Sequence, residues 1–83
     1  MKFSNLLHSA ARFAKNLDHS NNGVKKNDIP LVELNNYLNT ISLDQLRISI
    51  ESLYEIAEKR PAKVQQVFET LADTMKEIYE SRR

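Results

Sequence analysis

The sequence contains no cysteine, one glycine and two prolines, and no apolar run in it approaches the roughly 20 residues that a membrane-spanning helix needs. Each shortage removes a class of protein. Without cysteine there is neither a disulfide framework nor a thiolate metal site, which argues against a small secreted scaffold and makes the cytoplasm the expected compartment. An all-β chain would need far more turn residues than one glycine and two prolines supply. No compact apolar stretch with a small-residue cleavage site marks a signal peptide, so an unprocessed chain without a membrane span is expected.

What remains is 83 residues, enough for one domain and short for a stable core. Self-association or partner binding is therefore expected to add stability. The charges nearly cancel, with 12 basic and 11 acidic residues, but they are unevenly spread. Residues 1–28 carry Lys2, Arg12, Lys15, Lys25 and Lys26 against Asp18 and Asp28, a balance of +3, while the rest has seven basic and nine acidic residues, a balance of −2.

The apolar spacing reads as four helices. Phe3, Leu6, Leu7, Ala10, Phe13, Ala14 and Leu17 recur every three or four residues and predict a helix over 3–18. Asp18 to Gly23 offers the residues that end helices, so 19–28 is expected to be an exposed loop. A second helix over 29–40 opens near Asp28, Ile29 and Pro30, with Leu31, Leu34, Leu38 and Ile41 as its stripe and Tyr37 on the flank. Asn35, Asn36 and Asn39 weaken it, so packing must hold it.

Ser42 with Gln45 three residues later is a capping box, and Ile41 and Leu46 stand where a hydrophobic staple needs them. The third helix, over 43–59, carries Leu43, Leu46, Ile50, Leu53 and Ala57, with Ile48, Tyr54 and Ile56 as further apolar surface beside that stripe. Pro61 ends or kinks it, because proline removes a ladder donor and disfavours helical geometry at Arg60. A fourth helix over 61–81 follows, with Val64, Val67, Phe68, Leu71, Met75, Ile78 and Tyr79 as its core face. The expected fold is all-α: a small up-and-down bundle whose last two helices form a hairpin around Pro61.

Two stretches resemble known families. Leu53-Tyr54-Glu55-Ile56-Ala57-Glu58-Lys59-Arg60-Pro61, followed by Val64, Val67 and Leu71, is similar to the turn between the paired helices of a HEAT repeat. A single pair cannot stack into a solenoid, so the likeness implies a helical hairpin. Pro30-Leu31-Val32-Glu33-Leu34-Asn35-Asn36-Tyr37-Leu38 resembles a helix of the pediocin-like bacteriocin immunity proteins, themselves small cytosolic four-helix bundles, and that likeness implies a small immunity or inhibitor protein.

Catalytic chemistry has little to stand on. His8 and His19 lack the Glu-x-x-His pairs of a helical di-metal site, so no metal is expected. No nucleophile elbow or glycine-rich phosphate loop is present, so neither an enzyme nor a cofactor is expected.

Charge offers more. His8, Arg12, Lys15 and His19 follow steps of four, three and four and fall on one side of the first helix, with Lys25 and Lys26 in the loop after it. They form an electrostatic footprint for phosphates or for an acidic protein, although an ordinary solvated face gives the same pattern and no aromatic lies among them. The first helix also has the basic, acid-poor composition of an interfacial membrane helix or a transit peptide. Glu51, Glu55 and Glu58 line one face of the third helix, and Glu69, Asp73, Glu77 and Glu80 one face of the fourth. Such rows either dock on a basic partner or simply keep the surface hydrated.

The expected function is that of a non-enzymatic helical regulator, inhibitor or immunity-type protein that binds another protein or a second copy of itself. Ile48, Tyr54 and Ile56 would supply affinity, and Glu51, Glu55 and Glu58 orientation. The alternative is a nucleic-acid-binding protein that uses His8, Arg12, Lys15, His19, Lys25 and Lys26.

Overall fold

In a computed structural model, residues 2–16 and 28–83 are described here, and among them the regular structure is entirely helical. The helices are α1 (Phe3–Asn16), α2 (Leu31–Leu38), α3 (Leu43–Glu58) and α4 (Ala62–Arg82). They pack as a small all-α bundle. α4, the longest, lies against both α1 and α3, while α2 packs on α1 and reaches α3 through a side-chain hydrogen bond. The radius of gyration, 12.1 Å, is close to the value of about 12 Å expected for a compact chain of this length, so the hairpin is folded into a globule rather than left as an extended solenoid fragment.

Helix starts follow local chemistry. The Ser42 hydroxyl accepts the Gln45 N–H at 3.2 Å with Ser42 in extended geometry, as a capping box requires. Leu46 is buried behind it, and Ile41 packs against the core from the preceding residue. Pro61 separates two helices rather than kinking one. It is the N-cap of α4 at φ −56° and ψ 155°, and its carbonyl accepts the Gln65 N–H at 2.8 Å.

α2 is shorter than the 29–40 expected from the sequence. Pro30 stays outside the helix as its N-cap, at φ −77° and ψ 80°, and Ile29 before it is a core residue. Proline disfavours helical geometry at the residue before it, here Ile29, so the helix begins after Pro30 rather than at Ile29. At the other end the Thr40 hydroxyl donates to the Tyr37 carbonyl at 2.8 Å and closes the turn. The last two residues of the expected first helix, and loop positions 19–27, lie outside the described residues.

The core is built from Leu6, Leu34, Leu46, Leu53, Leu71 and Met75, with Ala10, Ala57 and Ala72 allowing close helix approach. Tyr37, expected on a flank, is buried in it. Its ring lies 5.8 Å from that of Phe3, and its hydroxyl meets Ser49 Oγ at 2.6 Å. Ser49 Oγ also donates to the Gln45 carbonyl at 2.8 Å, which uses its one proton, so Tyr37 is the donor to Ser49. This chain ties α1, α2 and α3 together, and no buried side-chain N or O among the described residues is left without a partner. Leu31 and Leu43, both placed on core stripes by spacing, are instead exposed, because each is the first residue of its helix.

Candidate interaction site

The Pro61 turn folds α4 back along α3, and the two helices leave an open groove of about 340 Å³ beyond their shared core. On α3 the wall is Arg47, Ile50, Glu51 and Tyr54, a stripe of threes and fours, and on α4 it is Lys76, Tyr79, Glu80 and Arg83. Leu43 continues the α3 stripe one turn earlier and is exposed. Tyr54 and Tyr79 are both half-buried and pack against the core, so each presents an apolar body with a polar tip.

The Tyr54 hydroxyl donates to the Asp73 carboxylate across the two helices. Burial first, then that hydrogen bond and the charges of Asp73 and Glu69, push the Tyr54 hydroxyl up to about 12. The phenol therefore stays a neutral donor at physiological pH. Glu69 is engaged in turn, accepting from Gln65 Nε2 at 3.0 Å. Arg47 Nη1 and Glu51 Oε1 are 3.5 Å apart with both side chains at least half exposed, an arrangement that organises the rim and stabilises it little.

The expected partner-binding residues divide over three sides of α3. Glu51, Glu55 and Glu58 are exposed on the outer face, with Ile48 among them at 46% exposure. Tyr54 turns to α4. Ile56 lies roughly 160° around the helix from Tyr54 and sits beside Glu55, Lys59 and Arg60 in a depression of about 150 Å³. Ile48, Tyr54 and Ile56 are thus not one apolar patch. The two acidic rows do not fuse either: Glu51 and Glu80 share the groove, but Arg47, Lys76 and Arg83 stand among them. Sequence reasoning missed Arg47, Lys76, Tyr79 and Arg83 as neighbours of Tyr54. Only part of this had a signal in the sequence: Arg47 and Lys76 stand at nearly equal distances before and after Pro61, where a hairpin brings residues face to face, whereas Tyr54 lies much closer to that turn than Tyr79 or Arg83.

On α1, His8, Arg12 and Lys15 are all exposed on one side, whereas His19, Lys25 and Lys26 lie outside the described residues. A second groove, of about 360 Å³, opens between the first half of α1 and the start of α4, with Leu7, Ala11, Val64 and Phe68 among its lining. Among the described residues no three His, Cys, Asp or Glu side chains come together as a metal site, and no helix is long and apolar enough to cross a membrane. Compared with family models, curated proteins and solved structures, the chain matches none.

Proposed function

We propose that the chain is a non-enzymatic helical regulator of the inhibitor or immunity type, which binds another protein through the α3/α4 groove. The observation that supports this reading is the presence of Tyr54 and Tyr79 in one concave strip edged by Arg47, Lys76, Arg83, Glu51 and Glu80. Tyrosine and arginine are enriched among residues that dominate binding energy, and a mixed charged rim sets register more than affinity. Glu51, Glu55 and Glu58, with Ile48 between them, extend the contact over the outer face of α3. The proposed compartment is the cytoplasm, as the cysteine-free composition suggests. The partner is a different protein or a second copy, since a groove carrying both signs is able to complement itself about a two-fold axis.

Site-specific photo-crosslinking tests the proposal. A benzophenone side chain at Tyr79 in the tagged chain, expressed in its native host, is expected to capture a discrete protein or a second copy, and the same label at exposed Gln66 is expected to capture neither. Equal capture at both positions, or none at Tyr79, would remove the reading.

A second reading, nucleic-acid binding, has the exposed His8, Arg12 and Lys15 face in its favour. With Arg12, Lys15, Lys25 and Lys26 all on phosphates it predicts a log–log salt slope of about −3 to −4 on duplex DNA, and salt-insensitive or absent binding would dismiss it.

A further inference from the structure

The groove between α1 and α4 differs in charge from the one between α3 and α4. Its floor is apolar, formed by Leu7, Ala11, Val64 and Phe68, and its polar lining is Ser4, His8 and the cationic Arg60, with no carboxylate. Around the groove cations outnumber carboxylates, although Glu55 lies beside Arg60 on its far side. α1 has no acidic residue over Phe3–Asn16, Arg12 and Lys15 are exposed further along it, and Lys59 is exposed in the turn beside Arg60. The α3/α4 groove, by contrast, mixes three cations with two carboxylates.

The α1 wall runs from Ser4 to Ala11, about two helical turns or roughly 10 Å. That is the length over which an amphipathic helix presents anchors at i, i+4 and i+7 to a groove between two others. We propose that the α1/α4 groove is a second docking site, whose occupant is an amphipathic helical segment of a partner protein that presents apolar side chains flanked by carboxylates. The apolar floor supplies the affinity, and the cationic rim selects the sign of the flanks. Nucleic acid would meet the same cations but leave the floor uncovered. The only aromatic lining the groove, Phe68, is 3% exposed and offers no face for a base to stack on.

The test is an amide chemical-shift titration of the isotope-labelled full chain with two synthetic amphipathic peptides of about 15 residues, long enough to hold helix. They share their leucine positions and differ in having Glu or Lys flanks. The Glu-flanked peptide is expected to shift the amides of Leu7, Ala11 and Val64 and to bind roughly tenfold more tightly than the Lys-flanked one. Arg60→Glu, at an exposed position, should abolish or invert that preference while the far-ultraviolet spectrum stays helical. Ala11→Leu, which fills the floor, should weaken both peptides. Equal affinity for the two peptides overturns the proposal, as do shifts confined to the Tyr54 and Tyr79 region. Perturbation of the same amides by duplex DNA but not by the Glu-flanked peptide assigns the face to nucleic acid instead. A crosslink at Tyr79 reports the α3/α4 groove alone, and the peptide preference at Leu7, Ala11 and Val64 the α1/α4 groove alone, so the failure of one site is told apart from the failure of the other.

Discussion

Tyr37 and Tyr54 show how one residue type takes two roles. Tyr37 is 2% exposed and spends its hydroxyl on Ser49, whereas Tyr54 reaches across a groove to Asp73. The two partners of the buried bond are not equivalent. Tyr37→Phe leaves Ser49 still donating to Gln45 and should cost about 1 kcal/mol, while Ser49→Ala strands a buried phenol and should cost about 1–3 kcal/mol, an ordering that urea denaturation of the two variants checks. Tyr54 makes a pH prediction. Its proton is held more tightly folded than unfolded, with the folded value raised from 10.0 to about 12, so its contribution is complete below pH 10 and lost as pH rises towards 12. Thermal melts between pH 9 and 12 should fall less steeply for Tyr54→Phe than for the parent chain, and identical slopes would contradict the assignment. Tyr37, read as a flank residue, stands three positions after Leu34 and four before Ile41, so spacing already allowed it on the core stripe. What the sequence did not show is the partner that makes this burial tolerable, the Ser49 hydroxyl 12 positions away, because periodicity does not report hydrogen bonds between helices.

At the scale of the element, the starts with chemistry of their own were the readable ones. Ser42 and Gln45 mark α3 in the sequence, and the structure places that cap as expected. Ser42→Ala should lower stability by about 1 kcal/mol, read from the shift in denaturation midpoint at unchanged slope. Pro61 marks the α3/α4 turn equally well, since no helix keeps its ladder through that position without loss. α2 was read too long because Pro30 fits two roles, first-turn residue or residue before the helix, and the choice was made by burying Ile29 and Pro30 under the bundle. Leu31 and Leu43 failed for a related reason. Periodicity assigns a side chain to a face, and only tertiary packing decides whether a neighbour covers the end of that face.

For the molecule as a whole, the all-α bundle follows from composition and spacing, but the candidate site does not. Its α3 wall was partly visible, as Tyr54 and Glu51. Its α4 wall needed the register of the hairpin, which brings Lys76 and Tyr79 to the same groove as Arg47 and Tyr54. Likewise Ile56 looked like a companion of Tyr54 in sequence and lies on the far flank of the same helix. The central claim is that this register builds a protein-binding groove. The most direct measurement is affinity capture from native host lysate with the tagged full chain and an Arg47→Glu, Tyr79→Ala variant of matched helicity. Capture is run with and without nuclease and eluted in salt steps. The account predicts a discrete protein that survives nuclease and moderate salt on the parent chain and is lost from the variant. Nucleic acid released at low salt, or a partner held equally by both chains, would contradict it.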